Sequence, residues 1–188
     1  MVKPIYVLND DPLYFTIQYL DHGDPTRRAT LQSGWKRFNR LDPATRQTYQ
    51  LYIRPTFPSV QVIVEHLLPE GTPAGRYRIE TFVPGNHATT RKAIFTVADQ
   101  AGSRGEGAIY LDEKVVLVDM YELSDVWYPL GEFDLDTACF EGIGRVRQYD
   151  ISQEEPEAEA SFGPVRWIPL TSCEGGNRFD APVGTPLA

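Results

Sequence analysis

Residues 75–97 read GRYRIETFVPGNHATTRKAIFTV, and this stretch decides the class of fold. From Arg76 to Val83, charged positions alternate with apolar or β-branched ones. That is the period of two expected of a strand with one face in a core, and it puts Tyr77, Ile79, Thr81 and Val83 on one side. Pro84-Gly85-Asn86 ends the run, because proline cannot donate to a ladder and glycine and asparagine tolerate turn dihedrals. Ala93, Phe95 and Val97 then resume an extended apolar face. Such strands bury nothing alone, so the flanking sequence has to supply a second layer.

Towards the N-terminus, Val60 to Leu68 (VQVIVEHLL) alternates in the same way, and the turn residues Pro69 to Gly75 predict a hairpin pairing 60–68 with 76–83. Ile5 to Leu8 and Tyr14 to Leu20, separated by Asn9-Asp10-Asp11-Pro12, predict another hairpin. His22 to Pro25 reads as a loop, and Asp42 before Pro43 predicts the cap of a short helix over 41–46. Tyr49 to Ile53 is again strand-like. Towards the C-terminus, 98–107 reads as a polar, glycine-rich loop and Glu113 to Met120 as a central strand. Trp127 to Leu135 sends Gly131, Phe133 and Leu135 inward and Glu132, Asp134 and Asp136 outward. Residues 144–151 and Val165 to Leu170 complete the strands, and the acidic run 153–159 reads as a solvated loop.

About eight to ten short strands, no strong amphipathic helix, and 15 glycines and 15 prolines spread along 188 residues predict an all-β fold. The expected architecture is a two-layer antiparallel β-sandwich, jelly-roll-like, formed by residues 1–171 as one domain. Residues 172–188 read as a tail or linker toward a missing domain.

The net charge of -8 conceals an asymmetry: residues 1–60 hold eight Lys/Arg against five Asp/Glu, a net of +3, and the remainder nets -11. The acidic bulk disfavours nucleic acid and anionic lipid as partners, while Arg27 to Arg46 forms a local basic stretch. No apolar run approaches the roughly 20 residues that span a bilayer, and the opening Met1 to Leu8 is too short an apolar segment for a signal peptide. The expected location is extracellular or at the cell surface for an excised piece of a longer protein, and cytoplasmic otherwise. The two cysteines, Cys139 and Cys173, lack the spacing of a zinc site and read as ordinary thiols, able to pair only in an oxidising compartment.

Four segments carry a family resemblance. GRYRIETFVP (75–84), Ala93-Ile94-Phe95-Thr96-Val97, Val126-Trp127-Tyr128-Pro129-Leu130-Gly131-Glu132-Phe133 and Val165-Arg166-Trp167 occur in the order found in the golvesin C-terminal-like domain, a carbohydrate-binding-like family. The chain resembles that family over most of its length when Asn9 to Pro12 and Gly34-Trp35 are matched to its opening positions. It departs at the close, where Phe162-Gly163-Pro164-Val165 stands in place of the family's Asp-Ala-Val. The resemblance implies a β-sandwich with Trp127 and Trp167 in the core, alongside Tyr77, Ile79, Phe95, Leu130, Gly131, Phe133 and Val165, and a carbohydrate ligand. Residues 178–186 are similar to the segment that precedes lysostaphin-type peptidase domains in some bacterial multidomain proteins, which implies an accessory, non-catalytic role.

No constellation for catalysis is apparent. His22, His66 and His87 have no spacing that joins them, His66 reads as a packed histidine, and Asp134, Asp136 and Glu141 read as solvated positions, not as paired catalytic acids. No cofactor is expected. Asp10 and Asp11, and Asp134 with Asp136, offer oxygen ligands for calcium, but neither group approaches the six to eight or so that the ion takes. Sugars stack their C–H faces on aromatic rings and bond planar polar groups, so the ligand candidates are Trp35, Tyr121 and Tyr128, with Asn86 and His87 in the loop between the two deciding strands. The expected function is a non-catalytic module binding a polysaccharide or cell-wall surface and positioning an attached partner, as an accessory to a hydrolase. The alternative is a structural or protein-interaction domain docking through the basic stretch Arg27 to Arg46.

Overall fold

In the computed structural model of the chain, residues 3–104, 108–135, 144–152 and 158–172 are described. In chain order the elements are β1 (Ile5–Val7), β2 (Phe15–Tyr19), α1 (Pro25–Ser33), β3 (Lys36–Leu41), β4 (Thr48–Pro55), β5 (Val62–His66) and β6 (Gly75–Val83). There follow β7 (Ala93–Arg104), β8 (Ala108–Val118), β9 (Val126–Leu135), β10 (Val146–Tyr149), β11 (Glu159–Phe162) and β12 (Val165–Ser172). The strands form three antiparallel sheets, ordered β1-β12-β6-β9, β2-β5-β10-β7-β8 and β11-β4-β3. The fold is an all-β sandwich.

β6 is central to the first sheet, with β12 on one side and β9 on the other, so three of the four family-like segments are adjacent strands. Its inward residues Tyr77, Ile79 and Val83 meet Leu130, Phe133, Val165 and Trp167 of the same sheet and Phe95, Val97, Val118 and Val146 of the second in one core cluster. Each such side chain contributes about 1.5–3 kcal/mol on full burial. A bulge tunes the β6–β9 pair: Ile79 lies opposite Gly131 and Glu80 opposite Pro129, leaving Leu130 as the extra residue. Gly131 has φ 142°, closed to residues with a Cβ, and a Cβ there would come within 3.1 Å of the Phe133 ring. The third sheet uses both faces. Tyr49 and Leu51 of β4 pack on Phe82 and Trp127 of the first sheet, while Tyr52, with Phe162 and Ala160, packs on Val64 of the second.

Several sequence expectations are corrected. The predicted hairpin of 60–68 with 76–83 is not made, because β5 pairs with β2 and β10 while β6 lies in the other large sheet. Residues 67–74, with Pro69 and Pro73, carry the chain between layers, so each apolar face finds the opposite sheet instead of its neighbour. For the same reason β1 and β2 do not form a hairpin: β1 pairs with β12 and β2 with β5.

The helix lies at Pro25–Ser33, beginning at the last residue of the stretch read as loop, and not at 41–46. Asp24 caps it by accepting from the Thr26 and Arg27 amides, with Pro25 opening the first turn. Asp42 also accepts an amide two residues on, from Ala44 at 2.9 Å, and a hydroxyl from Thr45 at 2.6 Å. Arg46 follows at φ 61°, which turns the chain straight back into β4. Residues 98–104 extend β7 and do not form a loop. Glu113 to Val118, expected to be central, belongs to the edge strand β8, where Val115 and Leu117 are 66% and 60% exposed. The run is apolar on both faces because Val116 and Val118 face the core while Val115 and Leu117 continue the outer rows of the second sheet beside Thr96 and Ile94.

Candidate functional site

The described surface holds a groove of about 450 Å³ where the helix and the third sheet meet the second sheet. That is within the range of about 300–1,000 Å³ typical of small-molecule sites. Ile17 and Tyr19 of β2, Gln32 and Ser33 from the end of α1, Trp35 and Arg37 on either side of the start of β3, and Tyr52 of β4 line it. α1 ends at Gly34, so the chain turns from helix into strand with Trp35 as the hinge residue.

Trp35 is held from three directions. Its indole Nε1 donates to the Tyr19 hydroxyl at 3.1 Å, and its ring meets Tyr52 and Phe162 edge-on at centroid distances of 5.8 and 5.2 Å. The Arg54 guanidinium lies 5.0 Å from the ring centroid, and it also lies 5.1 Å from Phe57. Arg54 is 2% exposed, and its charge is answered by Asp150, which is fully buried, with Nε to Oδ2 at 3.2 Å. Asp150 Oδ1 accepts the Gln61 and Val62 amides at 2.9 Å each. Burial pushes the Asp150 carboxyl up from its ordinary range, against those amide bonds, and pushes the Arg54 guanidinium down. A second Arg54 nitrogen reaches the Leu31 carbonyl at 3.5 Å, tying the last turn of α1 to the same pair. The groove floor is therefore a fixed aromatic surface resting on a buried ion pair. Its lining contains no carboxylate, histidine or cysteine; its hydroxyls are those of Ser33, of Tyr19, which accepts from Trp35, and of Tyr52, which donates to Gln50 Oε1 at 3.1 Å.

The other ligand candidates lie elsewhere. Tyr121, 56% exposed, stands after β8 beneath the Arg91 guanidinium at 4.1 Å, and Arg91 also pairs with Asp119 and Glu122. Tyr128 is half-buried against the main core. Asn86 is exposed in the β6–β7 loop, and His87 beside it has φ 60° and stacks on Phe38 at 4.4 Å. His87 Nδ1 lies 2.8 Å from Glu159, which also takes Lys36 Nζ at 2.7 Å. The Lys36 bond, and then that of His87, hold the Glu159 carboxyl below its ordinary range against the opposing effect of burial. Lys36 and Phe38 alternate along β3 with Trp35 and Arg37, so this cluster occupies the opposite face of the strand from the groove.

Tyr77, Ile79, Phe95, Trp127, Leu130, Phe133, Val165 and Trp167 are all 9% exposed or less. His66 is buried beneath Phe15, and burial pushes its imidazole down to about 3. Asn9 gives its amide hydrogens to the Gln50 and Phe162 carbonyls, so its oxygen faces His66 Nε2 at 3.0 Å, and that nitrogen carries the hydrogen. Among the calcium candidates, Asp11 closes a turn through the Leu13 and Tyr14 amides, Asp10 is exposed, and Asp134 lies 3.6 Å from Arg76. Asp136 lies outside the described residues, as do Cys139, Glu141 and Cys173. No group of three or more metal-ligating side chains comes together among the described residues, and none of their helices is long and apolar enough to cross a membrane. Within the basic stretch, Arg28, Lys36 and Arg40 pair with Asp21, Glu159 and Asp125.

Sequence reasoning singled out Trp35 but missed Tyr19, Tyr52, Gln32 and the support from Arg54. The one available signal was an arginine closing the otherwise uncharged strand segment TYQLYI. An arginine in a buried strand needs a carboxylate partner.

No family model matches the chain, and no curated protein does. Its architecture is similar to part of a xanthan lyase from Paenibacillus, with a TM-score of 0.57 and 11% identity over 89% of this chain. The likeness is one of fold. This chain corresponds to only 13% of the length of that enzyme.

Proposed function

We propose that the domain is a non-catalytic binding module that recognises a polysaccharide through the Trp35 groove and positions an attached partner on it. The observation that carries this reading is the half-buried Trp35 ring at the groove, braced by Tyr19, Tyr52 and the buried Arg54–Asp150 pair and flanked by the planar donors of Gln32 and Arg37. A rigid ring with polar groups at its margin suits a pyranose, which presents an apolar face and a hydroxyl rim. Two further points support it. The golvesin-like segments fall on β6, β7, β9 and β12, and the fold is similar to a small part of a polysaccharide lyase. A module of this kind acts by raising the local concentration of whatever is joined to it.

Affinity electrophoresis in gels containing soluble polysaccharides tests the proposal. Trp35→Ala is expected to weaken retention at least about thirtyfold, corresponding to a hot-spot loss of about 2 kcal/mol, while Tyr121→Ala leaves retention unchanged. Circular dichroism and unfolding of both variants separate lost binding from lost fold. Equal retention of Trp35→Ala and the unsubstituted protein sinks the assignment.

One observation favours a second reading, a protein-docking domain: Arg27, Arg37 and Arg46 make no ion pair among the described residues. Docking of that kind survives Trp35→Ala and falls steeply with salt.

A further inference from the structure

We propose that the groove selects acidic glycans, with Arg37 receiving the carboxylate of a uronic-acid residue whose ring lies on Trp35. The inference rests on the polysaccharide reading above and narrows its ligand class.

Charge distribution is the first ground. The chain as a whole holds 26 Asp/Glu against 18 Lys/Arg. Yet residues 25–41, which form α1 and β3, hold five basic residues and no acidic one. The groove lining repeats the pattern, with one guanidinium and no carboxylate.

The second ground is the state of each cation. Arg28 pairs with Asp21 at 3.4 Å, Lys36 with Glu159 at 2.7 Å, and Arg40 with Asp125. Arg54 beneath Trp35 is matched by Asp150, and its reach to the Leu31 carbonyl answers the negative end of α1. Arg27 is unpaired among the described residues but does not line the groove, whereas Arg37 lines it, makes no ion pair or hydrogen bond among the described residues, and holds its guanidinium carbon 5.2 Å from the centre of the Tyr52 ring. A guanidinium held over a ring by cation–π attraction keeps its in-plane N–H fork available, and that fork matches a carboxylate bidentately. A neutral sugar would meet this fork with a hydroxyl and not with a matched pair of charged oxygens.

The test compares each of several uronic-acid oligosaccharides (galacturonate, glucuronate and mannuronate types) with the same material after its carboxylates are reduced to primary alcohols. Affinity is read by titration calorimetry at low and high salt. The acidic form of at least one type is expected to bind roughly ten- to a hundredfold more tightly than its reduced form, with the gap narrowing as salt rises. Arg37→Gln should close the gap by lowering affinity for the acidic form far more than for the reduced form, and Arg37→Lys should keep part of it, since an ammonium supplies charge without the fork. Arg37 is exposed, so neither variant threatens the fold.

Equal affinity for acidic and reduced forms, or a gap that persists in Arg37→Gln, overturns the inference and leaves the polysaccharide reading standing. Displacement of the acidic glycan by polyglutamate from the Trp35→Ala variant as readily as from the unsubstituted protein also overturns it, since charge alone would then suffice. Absence of binding to every form overturns both readings.

Discussion

The interface between the two large sheets and the region around the third sheet are held together by opposite means. Between the large sheets the buried groups are mostly rings and aliphatic chains, with Ile79, Val97 and Trp167 fully buried. Around the third sheet they are polar and paired: Arg54 with Asp150, Asn9 with His66, Gln148 with the Ser161 carbonyl, and Asp42 with the Trp127 indole at 2.9 Å. The first kind of contact is non-directional, and its worth scales with area. The second kind depends on a particular partner, and loss of one member strands the other. Rigidity of the binding surface comes from the second kind, because the Trp35 ring rests on groups that have one satisfactory arrangement.

The largest expected effect breaks that contrast directly. Asp150→Ala should cost about 3–5 kcal/mol in urea unfolding, because it leaves the Arg54 guanidinium buried without its counter-charge. Adding Arg54→Met to it should restore much of the loss, since the stranded charge is then gone. Trp167→Ala in the dry core should cost a similar 3–5 kcal/mol or so, with no second substitution of this kind able to recover it. Equal failure of rescue in both regions would erase the distinction.

A pH series sharpens it. His66 is neutral in the fold, with its imidazole pushed down to about 3, while in the unfolded chain it titrates near its ordinary value of 6.5. The unfolded state therefore binds the extra proton between those values, and stability should fall, by up to a few kcal/mol in order of magnitude, as pH drops from about 6.5 toward 3. Asp125 and Glu159 add to the loss at the acid end. The bond from Arg40 holds Asp125 low and the bond from Lys36 holds Glu159 low, so both withdraw their stabilisation as pH falls through their folded values. Asp150 works against this trend, because its raised carboxyl favours the folded state once protonated. His66→Gln, which keeps a donor for Asn9 without titrating, should flatten the slope between about pH 6.5 and 5. An unchanged slope would mean that the polar region is not the source of acid sensitivity.

The smallest effect is expected on the outer face of the second sheet, which belongs to neither kind of packing. Leu117→Lys should change stability by less than about 0.5 kcal/mol, since Leu117 is 60% exposed. It should also lower self-association seen by light scattering, because it places a charge on a long edge strand. A stability loss well beyond that bound would show that this face is packed in solution.

Two aspartate–proline pairs show how much of this was readable beforehand. Asp24-Pro25 and Asp42-Pro43 carry the same capping signal, and the sequence reading put the helix at the second. Between Asp42 and β4 there are only five residues, and the aspartate's bonds to Ala44 and Thr45 satisfy a turn as well as a helix start. After Asp24 the chain has nine residues to wind, with Leu31 as its single buried anchor. So weak an apolar signal does not stand out in a sequence, and tertiary contact with the Leu31 side chain and carbonyl completes the helix. The edge position of β8 was hidden for a related reason: Val115 to Val118 is apolar on both faces, and apolarity alone does not say whether a second layer covers it. Trp35 could be picked out as an aromatic beside charged residues. Tyr19 and Tyr52 could not, since on their strands they look like any inward aromatic.

By itself the sequence determined the all-β class and the alternation of β6, because alternation along a strand is set by local covalent geometry. Tertiary structure alone decided that β5 leaves β6 for the second sheet, that β3 and β4 form a third sheet, and that one tryptophan of three remains half-open over a buried ion pair. Those outcomes depend on which distant faces compete successfully for burial and on charges meeting across nearly a hundred residues of chain, such as Arg54 and Asp150, and no local pattern encodes either.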